Sequence, residues 1–435
     1  NLEVIQDKAL NVIIKKAGTA GYENSAPVIL QGHMDMVPEK EDDVDHDFFA
    51  DPIAFIVKDD FVYADKTTLG ADNGIAVSYG LAILASDSIA HPPLELLVTT
   101  SEETGMDGAF ALDASLLSGR RLINIDSEEE GKLLVSCAGG IGATLKLPIE
   151  WEAAPVGYHG VDVKIDGLSG GHSGMEIDKQ RGSANKIMGR ILFDLESALD
   201  LAVVAVDGGS KHNAIPRSAT LSLLVKPADE PILAEKLTKW TEILLNELQG
   251  VDEGIKLVQS PNEQKVSRVF SKATTHRLVE ILSIVPTGVI NMSMAIPGLV
   301  QTSNNLGVLR TEADQVTFEN TIRSSVRSQK VEVANQMSLI AEATGALVEF
   351  ASEYPEWEYN PTSELRDVFM AAYEELYGAK PEISAIHAGL ECGLFSEKFD
   401  GKIDLISFGP NLYDVHTPQE HMSISSVERT WDYLK

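Results

Sequence analysis

The sequence predicts an α/β fold, in which a mostly parallel central sheet is flanked by helices and a second, α+β domain is inserted. Between residues 25 and 137, short runs of Ile, Leu and Val alternate with one helical pattern, as in parallel α/β sheets. Between residues 140 and 345, alternating strands and long amphipathic helices replace that pattern. We therefore predict one domain over 1–139 and 346–435, with 140–345 as the insert.

The elements of the first domain follow from short local patterns. Three apolar runs predict buried strands, at residues 28–30, 94–98 and 122–125. Small and apolar residues at helical spacing predict a helix over 71–86. The C-terminal segment is expected to complete the sheet, with a helix over 363–377, a strand over 404–408 and a last helix from residue 425.

The insert has a different texture. Alternation predicts strands around 161–165 and 221–225, and amphipathic patterns predict helices over 183–199 and 231–248. Strand and helix recur in a similar order in its two halves, so a duplicated unit is one interpretation, although no clear sequence repeat accompanies it.

Composition excludes several classes of protein. The 435 residues include 44% hydrophobic residues, which excludes disorder as the main state. Acidic residues outnumber Lys and Arg by 66 to 35, a net charge of −31 that repels phosphate backbones and anionic lipid headgroups. We expect no nucleic-acid partner and no membrane association.

Cysteine content and the first residue bear on compartment and completeness. Cys137 and Cys392 cannot form a disulfide framework, which favours a reducing compartment, and we predict a cytoplasmic protein. The sequence starts at Asn1 with neither Met nor a signal peptide, so we expect the N-terminal part of the first domain to be truncated.

Polar residues capable of chemistry follow the predicted strands. His33 and Asp35, two residues apart, lie on one side of an extended segment after the first strand. The other candidates are Glu102 and Glu103 after the second strand, Asp126 after the third, Asp72 at the start of the helix and His416 after the last strand. Ligands bind beyond the carboxyl ends of such strands, so these side chains should converge.

The donor types indicate a metal site. His33, Asp72, Glu103, Asp126 and His416 offer nitrogen and oxygen but no thiolate, a set that suits catalytic Zn²⁺, Co²⁺ or Mn²⁺. Five ligands exceed what one tetrahedral ion takes, whereas two ions about 3.5 to 4 Å apart would use all five. Asp72, central in chain order, is then the natural bridge.

Longer sequence blocks carry a family resemblance. The chain contains, in this order, GHMDMV, TTLGADNGIA, TSEETGMDGAF, NIDSEEEG, GGHSG, HNAIPR, HAGLECGLF and VHTPQE. It resembles the aminoacyl-histidine dipeptidases, which are bacterial, carnosinase-like Xaa-His dipeptidases. They belong to the cocatalytic zinc peptidases that include carboxypeptidase G and aminoacylase. The resemblance implies a zinc-peptidase catalytic domain with an inserted lid.

The resemblance also assigns residues. It implies two metal ions held by the same five ligands, with Asp72 bridging. Zinc is the first choice for these ions, and cobalt and manganese are the alternatives. Asp35 would orient His33 by hydrogen bonding. Glu102 would take a proton from a water between the ions, and the resulting hydroxide would attack the peptide carbonyl of a carnosine-like Xaa-His dipeptide.

Substrate contacts are expected from the insert and from the C-terminal segment. His172 is the best match for a histidine that stabilises the oxyanion, with His212 and Asn213 as second candidates. Arg323 matches a lid arginine that grips a carboxylate. His387 and Glu391 would line the pocket, where Glu391 could pair with the substrate ammonium. Homodimerisation through the insert is a further possibility that the resemblance leaves open.

The sequence leaves three alternatives open. Gly167–Gly171 satisfies G-x-S-x-G, so a serine hydrolase with Ser169 as nucleophile is one. A noncatalytic binding protein is another, although no ligand or base position has been lost. A general dipeptidase, tripeptidase or other amidohydrolase of the same superfamily differs only in substrate range.

Overall fold

A computed structural model describes residues 2–435, and the chain divides into two units. The first unit runs to Cys137 and resumes at Glu356; the second, the insert, is Ala138–Pro355. The predicted return to the first domain, at residue 346, is wrong by one strand. Leu347–Tyr354 forms a strand that pairs antiparallel with Gly139–Pro148, and this pairing makes it part of the insert's sheet.

Over residues 2–137, the first unit has eight strands and two α-helices. Its strands are β1 (Glu3–Gln6), β2 (Val12–Lys16), β3 (Val28–His33), β4 (Phe55–Lys58), β5 (Phe61–Ala64), β6 (Leu94–Thr99), β7 (Arg121–Asn124) and β8 (Lys132–Cys137). Its helices are α1 (Ala71–Ala85) and α2 (Asp107–Ala111).

The insert contributes four helices and a series of strands. Its helices are α3 (Ala184–Ala198), α4 (Glu230–Glu247), α5 (Lys272–Ile284) and α6 (Arg327–Thr344). Its strands are β9 (Gly139–Pro148), β10 (Trp151–Ala153), β11 (His159–Asp166), β12 (Gly171–His172), β13 (Leu201–Gly208), β14 (Ala214–Ile215), β15 (Ala219–Val225), β16 (Lys256–Asn262), β17 (Arg268–Phe270), β18 (Gly288–Met292), β19 (Val300–Thr311), β20 (Gln315–Ser324) and β21 (Leu347–Tyr354).

The chain then returns to the first unit. This segment contains β22 (Glu382–Ile386), β23 (Asp404–Ser407), β24 (Leu412–Tyr413), β25 (His421–Ser423) and the helices α7 (Glu364–Tyr377), α8 (Glu391–Lys398) and α9 (Ile424–Leu434).

The central sheet of the first unit has the order β1-β2-β6-β3-β7-β23-β8-β22. Strands β6, β3, β7 and β23 run parallel, so their carboxyl ends meet at one edge. The register aligns His33 with Thr99 and Gln31 with Asn124, so the segments that follow these strands start at the same level. The predicted α/β class is confirmed, with the antiparallel edge strands β1 and β2 added.

Helix α1 packs against this sheet because glycine brings it close. A Cβ atom at Gly80 would lie 2.5 Å from the Leu96 side chain on β6. Close packing of α1 fixes where its first turn, which contains Asp72, lies relative to the strand ends. Across residues 2–435 no helix is both long and apolar enough to cross a bilayer.

The sheet of the insert repeats one arrangement twice. Its path is β16-β11-β15-β13-β19-β20-β9-β21, all antiparallel, with β18 pairing β19. Counted outward from the junction of β13 and β19, one half has the order β13-β15-β11-β16 and the other the order β19-β20-β9-β21. Each half carries two of the helices α3 to α6. The repeated order agrees with the duplicated unit considered from sequence. Strand β9 completes the second half although it precedes the first half in the chain.

Core packing in the insert provides a test of this fold. Phe318 on β20 is fully buried, whereas Phe193 on α3 is 62% exposed. Phe318→Ala should lower the free energy of unfolding by about 3 to 5 kcal/mol, because it removes buried surface and leaves a cavity. Phe193→Ala is the matched control and should cost less than about 0.5 kcal/mol. Urea denaturation of both variants measures this, and equal losses would contradict the packing described.

Candidate metal centre

The predicted ligands come together at the carboxyl edge of the central sheet. His33 ends β3, Asp72 lies in the first turn of α1, and Asp126 follows β7 by two residues. Glu103 lies in the turn after β6, and His416 lies in the loop between β24 and β25. The imidazole of His33 is 1% exposed, whereas that of His416 is 47% exposed, so one histidine faces the interior and the other the solvent.

Two groups of ligand atoms meet at Asp72. His33 Nε2 lies 3.1 Å from Asp72 Oδ1 and 3.4 Å from Asp126 Oδ1. His416 Nε2 lies 3.1 Å from Asp72 Oδ2 and 3.0 Å from Glu103 Oε2. Within each group the ligand atoms lie within 4.8 Å of one another. One carboxylate therefore presents its two oxygens to two different groups, which is the arrangement that a bridging ligand needs.

Glu102 stands beside these groups. Its carboxylate, with His33 and Glu103, forms a third set of ligand atoms within 4.8 Å. Burial, followed by the charge of Asp126, raises the pKa of Glu102 to about 8. A carboxyl group with that pKa exchanges a proton near neutral pH, which is what general acid–base catalysis requires.

Asp35 performs a broader task than the one predicted. The atom hydrogen-bonded to His33 Nδ1, at 3.0 Å, is the main-chain carbonyl oxygen of Asp35, and its carboxylate Oδ1 lies 3.5 Å away. The two carboxylate oxygens accept the backbone N–H groups of Glu102 and Glu103, each at 3.2 Å. Asp35 thus orients His33 largely through its backbone and holds the glutamate turn through its side chain.

Negative charge is concentrated at this edge. Burial, together with the charge of Asp72, raises the pKa of Glu103 to about 7. Burial alone would raise the pKa of Asp72, but hydrogen bonds with His33 and His416 lower it to about 2. The bond to Asp72 and the charge of Glu103 raise the pKa of His416 to about 9. A bound cation would offset the repulsion between these carboxylates and could take the place of the protonated histidines as their positive partner.

The residues present fit divalent cations. Oδ1 of Asp126 is buried and has no hydrogen-bond donor among the described residues, although His33 Nε2 lies 3.4 Å away. A buried carboxylate oxygen without a donor is costly unless a cation binds it. Imidazole and carboxylate donors without thiolate suit Zn²⁺, Co²⁺ and Mn²⁺ alike, so the donor set does not select one of them.

Glu391 lies beneath the site rather than in a pocket. Its side chain is fully buried, and Oε2 accepts hydrogen bonds from Gln31 Nε2 at 2.5 Å and from Thr99 Oγ1 at 2.9 Å. Its position therefore does not support the predicted contact with a substrate ammonium. His387 is also buried, at 6% exposure. Its two donors lie on β3 and β6, far away in sequence, so no local sequence signal places Glu391.

The candidates in the insert lie near one another within that unit. His172 on β12 pairs with Ala214 on β14, next to Asn213. His212 Nδ1 lies 3.2 Å from the Thr321 hydroxyl on β20, and Arg323 is two residues further along the same strand. The four predicted residues therefore share one region of the insert.

His172 is held in one tautomer. Its Nδ1 accepts the backbone N–H groups of Gly174 at 3.1 Å and of Met175 at 3.0 Å. Burial and the charge of Arg323 lower the pKa of His172 below its usual value. The neutral ring therefore carries its proton on Nε2, where it is a hydrogen-bond donor.

Arg323 is a buried guanidinium with a free donor. It is 7% exposed, and its Nη1 donates to the Tyr354 hydroxyl at 2.7 Å. Tyr354 can lie across β9 because residue 140 is glycine; a side chain there would overlap the tyrosine ring. Nε of Arg323 has no partner among residues 2–435. A buried cation with an unused donor is suited to binding an anionic group.

The serine-hydrolase alternative is not supported. A nucleophile elbow places its serine between a strand and a helix. Gly167–Gly170 instead connects strand β11 to the two-residue strand β12, and the Ser169 backbone N–H is bonded to Asp252.

Comparisons with known proteins give the family and agree with the fold. The profile of peptidase family M20/M25/M40 matches residues 29–435. The chain is 39% identical over 432 residues to the cytosol non-specific dipeptidase of Escherichia coli (strain K12), covering 99% of this chain and 88% of that protein. The crystal structure of an aminoacylhistidine dipeptidase from Vibrio alginolyticus superposes with a TM-score of 0.95 at 42% identity, covering 100% of this chain and 88% of that one.

The chain belongs to peptidase family M20/M25/M40. The predicted resemblance is therefore confirmed at the level of the family. The fold extends to more distant structures, such as aminopeptidase PepT from Bacillus cereus, with a TM-score of 0.54 at 15% identity over 100% of this chain and 87% of that one.

Removal of metal should make stability depend on pH in a defined direction. Burial and like charges raise the pKa of Glu102 to about 8 and those of Glu103 and Glu391 to about 7. The folded, metal-free chain then binds more protons than the unfolded chain, so its free energy of unfolding should fall between about pH 6 and pH 8. Thermal unfolding of chelator-treated protein measures this.

Zinc-loaded protein is the control for that measurement. Bound cations lower the pKa values of neighbouring carboxylates, so the loaded protein should not lose stability over the same interval. Chelated protein that is equally stable or more stable at the higher pH would contradict the prediction.

Proposed function

We propose that this chain is a metal-dependent dipeptidase whose metal ligands and general base are those predicted from sequence. The observation that carries the proposal is the division of the two Asp72 oxygens between His33 with Asp126 and His416 with Glu103. Such a carboxylate can bridge two divalent ions. Zinc is the first candidate, with cobalt or manganese as alternatives.

The names of the similar proteins support a dipeptide substrate. The E. coli relative is named a non-specific dipeptidase, and the V. alginolyticus structure is that of an aminoacylhistidine dipeptidase. Both matches extend over at least 99% of this chain, so the proposal concerns the whole polypeptide rather than one shared domain. The E. coli protein is named as cytosolic, and we propose the same compartment here.

The proposed chemistry divides between the ions and the protein. Two bound divalent ions would polarise the peptide carbonyl and lower the pKa of water at the site. Glu102 would accept the proton from the attacking water and then deliver it to the leaving amine. Asp35 keeps the turn that carries Glu102 in place through two N–H bonds.

The insert would supply the groups that hold the reacting peptide. His172, whose proton lies on Nε2, would donate a hydrogen bond to the oxygen that becomes negative, with His212 and Asn213 as further candidates. Arg323 would hold the substrate carboxylate, since its guanidinium is buried and its Nε donor is unused.

Substrate preference is the finer part of the proposal. We infer a preference for Xaa-His dipeptides from the sequence blocks and from the V. alginolyticus structure. The second candidate, a broad dipeptidase, is favoured by the name of the E. coli relative. The two candidates share the same metal site and differ only in what the pocket accepts.

A substrate panel separates these candidates. Release of free amino acid is measured from Xaa-His, β-alanyl-His and Xaa-non-His dipeptides, with zinc or with a chelator. Faster, chelator-sensitive cleavage of the His-containing substrates is expected. Chelator-sensitive cleavage without that preference would favour the broad dipeptidase, and chelator-resistant cleavage would contradict the metal mechanism.

Two substitutions test the separation of ligand and base. Glu102→Ala should retain both metal ions but lose about 10²- to 10⁴-fold in turnover, because it removes a proton carrier and not a ligand. His416→Ala should lose metal as well as activity, because it removes a ligand. Metal content by atomic spectroscopy, measured beside activity, decides between these outcomes. Equal metal loss in the two variants would refute the assigned roles.

A further inference from the structure

Glu420 is a buried acid at the end of the sequence block VHTPQE. The sequence alone gave it no role. It is 2% exposed and lies four residues after His416, at the end of the same loop. A carboxylate buried in this way must be stabilised by hydrogen-bond donors.

Those donors are backbone N–H groups of the segment that carries Asp72. Oε2 of Glu420 accepts from Leu69 at 2.8 Å and from Gly70 at 3.0 Å. Oε1 accepts from Ala71 at 2.8 Å and from Asp72 at 3.3 Å. Four consecutive N–H groups therefore point at one carboxylate that is about 350 residues away in sequence.

This carboxylate performs the task that a helix cap normally performs locally. The N-cap residue of α1 is Gly70, which makes no side-chain cap hydrogen bond. The first N–H groups of a helix have no intrahelical partner and carry partial positive charge, so an acid there is stabilising. Glu420 meets both needs from a different part of the chain.

The loop that carries Glu420 is itself well ordered by hydrogen bonds. The Glu420 N–H donates to Thr417 O at 3.0 Å, and the Thr417 hydroxyl donates to Asp414 O at 2.7 Å. Directly after it, strand β25 pairs with β5. His416 thus lies in a short loop that is fixed at the end where Glu420 binds the Asp72 segment.

We propose that Glu420 is a positioning residue that sets the spacing between Asp72 and His416, and thereby the affinity for the metal ion that these two residues share with Glu103. The inference rests on the proposed metal-dependent function. Loss of Glu420 should affect the other group of ligands less, because His33 ends a central strand and Asp126 follows one closely.

Glu95 offers a matched control within the same unit. It is 3% exposed, and its carboxylate accepts the backbone N–H groups of Ser118 and Gly119 at 2.8 to 3.0 Å. It lies near the start of β6, whereas the metal ligands follow the strand ends. Its Oε1 also accepts the Ser118 hydroxyl at 2.9 Å and lies 3.2 Å from Lys15 Nζ. Glu95→Gln therefore removes a buried clamp and an ion pair in the same unit, both away from the ligands.

The experiment titrates chelator-stripped protein with Zn²⁺ in competition with a chromophoric chelator, for wild type, E420Q and E95Q. Glutamine keeps one oxygen at position 420 but places an NH₂ group against two of the four N–H donors. Wild type should bind two ions per chain. E420Q should bind the first ion as wild type does and the second about 10- to 100-fold more weakly, as for residues that orient ligands. E95Q should lose thermal stability but bind both ions normally.

Each other outcome overturns a stated claim. Wild-type affinity for both ions in folded E420Q, or equal weakening in E95Q, would overturn the positioning role and leave the proposed function intact. Wild-type protein that binds fewer than two ions would overturn the proposed function and this inference with it. If circular dichroism shows that E420Q is unfolded, E420D decides, since its shorter carboxylate cannot reach all four donors; unchanged zinc affinity in E420D would overturn the role.

Discussion

Repulsion among the carboxylates at the carboxyl edge of the central sheet is the constraint on which the arrangement of the site depends. Several carboxylates and two imidazoles converge within a few ångströms, and they cannot all keep their usual protonation in so small a volume. Parallel strands make the convergence possible, because their ends lie side by side. What holds it in place is a set of backbone N–H groups, which stabilise carboxylates without supplying competing side-chain cations. The site therefore remains free to be neutralised by ions from solution.

Asp35 and Glu420 show the same solution at two places. Each carboxylate binds N–H groups of a segment that carries candidate ligands, the Glu102–Glu103 turn in one case and the start of α1 in the other. In both cases the acid follows a candidate histidine within a few residues. Each histidine is thus coupled to the neighbouring acidic segment through the main chain, so that the ligand positions are set in pairs.

Much of the fold and the candidate ligand set could be predicted because both depend on local patterns. His33, Glu103 and Asp126 each follow an apolar run, and that position in an α/β sheet already indicates convergence. Glu420 could not be found in this way, because its partners are backbone groups distant in sequence. The expectation that Glu391 lines the pocket came from the family resemblance, whereas its burial depends on contacts with Gln31 and Thr99 that are distant in sequence. The end of the insert was missed because its last strand, β21, is largely exposed and lacks an apolar run.

The two places where the chain crosses between units have a consequence for modularity. Strands β9 and β21, which begin and end the insert, are neighbours in its sheet, with Tyr354 opposite Gly140. On the other side of the crossing, Cys137 and Trp357 exchange two backbone hydrogen bonds at 3.1 Å. Neighbouring strands lie about 5 Å apart, so the cut ends of either unit could be joined by a very short linker. The insert therefore enters and leaves the sequence at one place in the fold, so its removal would need only a short connection between residues 137 and 356.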